Sequence, residues 1–209
     1  MTSRAIAVDT RSQDGTPHEL SERDIRAFIK TQVPRLLQSR SRAFLVEEME
    51  VCSGRARIDL AVIGDHLIGI EIKGPKDDVS RLPGQVKAYS ECFDLVVLVV
   101  HEDLAQKADA LIPDWWGLVV GLQREGRIRY RFERRPQPNP SLNLEKLLSL
   151  LWRGEIDALL SDLLGATPKP RATKKTIRAE LLARIDASIL RHASLQKLRE
   201  RTDWRHVPI

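Results

Sequence analysis

Residues 69–77, GIEIKGPKD, set an acid and a base two positions apart in an otherwise apolar strand. Side chains alternate across a strand, so Glu71 and Lys73 share one face while Ile70 and Ile72 share the other. Burying a carboxylate and an ammonium together is costly unless both are partnered. An isolated pair of this kind is ordinarily a surface salt bridge, so the neighbouring strands decide its meaning.

Upstream, AFLVEEMEV (43–51) and ARIDLAVI (56–63) read as strands, and HLIGIEIK (66–73) follows after a short Gly64-Asp65 turn. Three strands joined by short loops predict an antiparallel meander. Downstream, Leu82, Val86 and Tyr89 recur at helical spacing, with the helix proper beginning near Pro83. DLVVLVV (94–100) is the continuous apolar run of a strand buried on both faces, and EDLAQKADALI (102–112) is a second helix. PDWWGLVVGL (113–122) and RIRYRF (127–132) predict an edge hairpin. The order strand, helix, strand implies a crossover and an α/β fold, with a mixed β-sheet core flanked by helices.

The flanks differ in character. Residues 1–20 read as disordered, and a helix is expected from Ser21 toward Pro34. With that helix, residues 21–140 make the core. Residues 141–165 are a leucine-rich helical segment, read as core or as a dimer seam. After a Pro-punctuated linker, residues 166–209 read as a basic helical tail with Ile177, Leu181, Leu182, Ile185 and Ile189 on its apolar stripe. This C-terminal helical extension could seat a homodimer.

Charge is uneven along the chain. Residues 1–43 hold 8 basic and 5 acidic groups, 44–165 hold 15 and 20, and 166–209 hold 11 and 4. An acidic middle between basic arms suits a cation site that must approach phosphates, and DNA is the expected partner. Two cysteines make no disulfide framework, which places the chain in a reducing cytoplasm. The longest apolar run, LVVLVV, is too short to span a membrane.

If the second and third strands pair around Gly64-Asp65, Asp59 comes near Glu71 across the ladder. Two facing carboxylates repel unless a cation lies between them, and hard oxygen ligands suit Mg²⁺ or Mn²⁺. Lys73 could then act on water or on developing phosphate charge. Glu48 lies on the strand before Asp59 and could add a third carboxylate, with Glu47 and Glu50 as competitors. Gln85 and Tyr89, four apart, share a helix face, and Arg81 could reach a phosphate. His66 reads as a solvated turn residue. Trp115 and Trp116 could stack bases or pack in the core.

RID (57–59), EIK (71–73) and QVKAY (85–89) together resemble the PD-(D/E)XK phosphodiesterase signature, in its RecB-like form with a Q-x-x-x-Y helix. The resemblance covers roughly residues 44–100. It implies a restriction-endonuclease-like core and a metal-dependent nuclease acting on DNA. Asp59, Glu71 and the Ile72 carbonyl would be metal ligands with Glu48 as the upstream acid, Lys73 the catalytic lysine, and Gln85 and Tyr89 lining a nucleic-acid groove. The proline expected before the first acid is Ile58 here. RLPGQ, PDWWGL, NPS and LLWRGE further resemble an uncharacterised family of bacterial and phage nuclease-like proteins known by a locus-tag name, across Ser21 to Trp204. The alternative function is a non-catalytic binding module for nucleic acid or a protein partner on the same fold.

Overall fold

The computed structural model of the chain describes residues 6–9, 43–52, 54–124, 127–202, 204 and 206–208. Among them are eight strands: β1 (Ile6–Asp9), β2 (Phe44–Val51), β3 (Ala56–Ile63), β4 (Leu67–Lys73), β5 (Leu95–His101), β6 (Gly117–Arg124), β7 (Arg127–Arg134) and β8 (His206–Pro208). They form one mixed sheet in the order β1-β7-β6-β5-β4-β3-β2-β8. The pairs β4–β5 and β5–β6 are parallel, and the rest are antiparallel. The meander, the crossover and the β6–β7 hairpin all stand where the sequence placed them.

Six helices are described: α1 (Leu82–Cys92), α2 (Glu102–Asp109), α3 (Leu144–Ser149), α4 (Arg153–Leu164), α5 (Lys174–Arg184) and α6 (Ala187–Glu200). Local chemistry sets their ends. Pro83 lies in the first turn of α1, Asn143 caps α3, Thr173 caps α5, and Asp186 accepts from two backbone N–H groups of α6. The leucine-rich segment breaks at Trp152, and α4 ends at Gly165 in the left-handed conformation that glycine adopts without penalty.

All six helices contribute to one apolar cluster on one face of the sheet, which includes Val46, Ile58, Leu98, Trp116, Leu147, Leu159 and Leu195. The opposite face buries Leu60, Val62, Ile70, Val97 and Val99 in a second cluster. β4 lies between them, with all seven of its residues buried.

Two expectations are corrected. Ile6–Asp9, assigned to a disordered N-terminus, pairs antiparallel with Tyr130–Arg127 of β7. Four residues are too few to show strand periodicity, but they fill the otherwise open edge of β7. The other expectations for residues 10–42, the helix from Ser21 among them, lie outside the described residues. Second, residues 166–209, read as a basic helical tail, pack into the core of the fold. Ile177, Leu181, Leu190, Leu195 and Leu198 are buried in the main cluster. Arg191 pairs with Asp94, Lys197 with Asp162, Arg199 with Asp65, Arg201 with Glu155 and Arg178 with Glu145. Much of the basic surplus at this end is therefore matched to the acidic middle of the same chain.

Candidate active site

β3 and β4 pair from Ile63↔Leu67 to Leu60↔Ile70, where the ladder stops. At the next position the Asp59 side chain replaces a strand neighbour: its Oδ2 accepts from the Ile72 N–H at 2.7 Å. The strands part there, against α1, around a pocket of about 840 Å³. Glu48, Asp59, Glu71 and Lys73 line it, and so do Ile72, Arg81, Gln85 and Tyr89. Every site residue expected from the sequence is thus in one place.

Glu71 and Lys73 are 2 % and 4 % exposed, so the opening acid and base are buried together. Both carboxylate oxygens of Glu71 are engaged. Oε1 accepts from Lys73 Nζ at 2.8 Å and from Gln85 Nε2 at 2.5 Å. Oε2 lies 2.9 Å from the Tyr89 hydroxyl, which is also 2.7 Å from the Arg57 carbonyl. One phenol carries one proton, so Tyr89 donates to one of these at a time. Burial, then the Glu71 charge, holds the Tyr89 phenol above its usual range, which keeps it a donor. Gln85 Oε1 is buried without a hydrogen-bond partner among the described residues, an acceptor oxygen left over on this wall.

Asp59, Glu71 and the Ile72 carbonyl offer hard oxygens, as Mg²⁺ or Mn²⁺ require. Among the described residues, no three His, Cys, Asp or Glu side chains converge as a metal site. Magnesium keeps several waters and is commonly held by one or two carboxylates together with substrate phosphates, so a two-carboxylate set fits its chemistry.

Residues 17–206 match the family model of bacteriophage P4 protein cII. The chain belongs to that family. Protein cII of Enterobacteria phage P4 is 26% identical over 121 residues, covering 58% of this chain and 46% of that relative. The chain thus spans about half the length of the curated relative it matches. No solved structure matches it.

Sequence reasoning missed part of the pocket in this cII-family chain. Arg55, Arg57 and Lys87 also line it, and so does Glu50, one of the three glutamates weighed from the sequence. Glu50 stands directly across the ladder from Arg57, a pairing that follows from counting back through the CSGR turn. Glu50 and Glu48 line the pocket, whereas Glu47 lies opposite Leu60, a residue of the second cluster. Trp116 is fully buried, stacked 6.2 Å from Tyr89, which assigns it to packing. His66 is exposed as expected, and its Nδ1 lies 3.1 Å from Arg191 Nη2. No helix among the described residues is long and apolar enough to cross a membrane.

Proposed function

We propose that this chain is a metal-dependent nuclease hydrolysing DNA phosphodiester bonds on a restriction-endonuclease-like core of PD-(D/E)XK type. The observation that supports it is the meeting of Asp59, Glu71, Lys73, Gln85 and Tyr89 in one pocket where β3 leaves β4. Salt bridges on surfaces do not require that company. Asp59, Glu71 and the Ile72 carbonyl would hold Mg²⁺ or Mn²⁺, with Glu48 beside them. When bound, such an ion polarises a phosphoryl oxygen and makes water more acidic. The chain's own residues do the rest. Glu71 fixes the Lys73 ammonium, which stabilises negative charge developing on the phosphate. Gln85 and Tyr89 hold the Glu71 carboxylate in place, and Arg81 at the start of α1 would meet a phosphate of the bound strand. Free, buried Cys52 and Cys92 accord with a reducing cytoplasm.

Incubation of the purified protein with single- and double-stranded DNA in Mg²⁺ or Mn²⁺ tests the reading. Cleavage by the wild type and its loss in Asp59→Asn and Lys73→Ala are expected. DNA binding without cleavage in either metal would leave a non-catalytic module on this fold.

A further inference from the structure

Glu48 has φ 54°, a left-handed conformation in the middle of a strand, at a residue that is not glycine. The pairs Glu47↔Leu60 and Met49↔Ile58 flank it in unbroken register, so no inserted residue explains the twist, and Glu48 stands opposite Asp59. Backbone strain kept between paired positions of a ladder is a feature of functional positions. Here the twisted residue brings a carboxylate to the pocket wall. That carboxylate is held: Glu48 Oε2 lies 2.7 Å from Arg57 Nε.

We propose that Arg57 is a displaceable counter-ion for Glu48, holding this third carboxylate until a divalent cation binds beside Asp59 and Glu71 and then releasing it. This role rests on the reading of the pocket as a metal site. Two ion pairs in the pocket differ in kind. Lys73–Glu71 has side chains 6% and 3% exposed, and Glu71 accepts further hydrogen bonds from Gln85 and Tyr89. Arg57–Glu48 has side chains 64% and 30% exposed. A pair so open to water is weak and readily exchanged. Glu50, across the ladder from Arg57 and on the same pocket wall, gives the released guanidinium another carboxylate. Release therefore moves Arg57 between acids and does not strand it.

Manganese binding measured by calorimetry is the test, with wild type, Arg57→Ala, Arg55→Ala, Asp59→Asn and the double variant Arg57→Ala/Glu48→Gln. Arg55 is the control, since it carries the same charge in the same pocket but donates to the Cys52 carbonyl. Arg57→Ala should bind Mn²⁺ about three- to fivefold more tightly than wild type, as loss of a competing exposed ion pair implies. Arg55→Ala should gain less, and the double variant should lose the gain. Equal tightening in both arginine variants, or none in Arg57→Ala, overturns the role of Arg57. If the wild type binds Mn²⁺ and Asp59→Asn does not, that failure touches Arg57 alone. Absence of Mn²⁺ binding in the wild type overturns the metal reading and this role with it.

Discussion

Lys73 Nζ and Glu71 Oε1 are 2.8 Å apart on a strand buried along its whole length. Removing one member of a buried pair typically costs about 3–5 kcal/mol, because the other charge is stranded. Lys73→Met leaves Glu71 with donors from Gln85 and Tyr89, so its cost should fall at the low end. Glu71→Leu strands an ammonium and the Gln85 amide, and should fall at the high end. The double variant Glu71→Leu/Lys73→Met should be more stable than Glu71→Leu alone in urea unfolding. If it is instead the least stable of the three, the pair is there for the fold and not for chemistry.

The same lysine gives the kinetic prediction. Lys73→Ala should lower the cleavage rate by about a hundredfold or more, as loss of one electrostatic stabiliser does. Its Mn²⁺ and DNA affinities should change far less, since a group acting in the transition state adds little to ground-state binding. Lys73→Arg should restore little, because the site holding Nζ between Glu71 and the pocket suits a compact ammonium better than a planar fork. Single-turnover rates beside binding isotherms separate these outcomes.

Asp59→Asn keeps an amide oxygen able to accept from the Ile72 N–H, so the fold should lose no more than about 1 kcal/mol, the worth of one ordinary hydrogen bond. Mn²⁺ binding should vanish. A large loss of stability in the metal-free protein would make Asp59 a structural strut.

The site was legible where local rules apply. The turn at Gly64-Asp65 sets the register that brings Asp59 toward Glu71, and four-residue spacing on α1 puts Gln85 beside Tyr89. The sheet centre was legible because LVVLVV has no polar face. What was hidden depends on distant partners. Arg191 and Asp94 are 97 residues apart, and nothing local to either reveals that the basic end of the chain pairs with the acidic middle. Sequence also left three glutamates competing for one role. The left-handed twist at Glu48 is a tertiary compromise that no propensity announces, and Arg57 acquires its meaning only beside it.

That burial changes what deletion of residues 166–209 will do. Fully burying one aliphatic side chain is worth about 1.5–3 kcal/mol, and Ile177, Leu181, Leu190, Leu195 and Leu198 all lie in the main cluster. Their joint loss rivals the whole stability of a typical domain, about 5–15 kcal/mol. The truncated chain should fail to unfold cooperatively, and Leu195→Ala alone should cost about 2–5 kcal/mol. A truncated protein with a sharp thermal transition would show that these helices are separable from the core.

The last prediction concerns alkaline pH. The Cys92 thiol, 4.0 Å from Cys52 Sγ, is pushed up from 9.0 to about 12, first by burial and then by its neighbour. The folded chain therefore keeps a proton that the unfolded chain releases earlier. Stability from this source is fully present below about pH 9 and is lost as pH rises toward 12, with a slope of about 1.4 kcal/mol per pH unit. Tyr89, also raised, adds a second loss of the same sign from about pH 10 upward. Cys92→Ala should be less stable than wild type at pH 7, because it leaves a cavity beside Cys52. It should also fall less steeply between pH 9 and 11, so the gap between the two proteins narrows across that window. Urea unfolding under reductant at each pH would show it. Parallel curves would mean that Cys92 titrates alike in both states and that burial does not hold its proton.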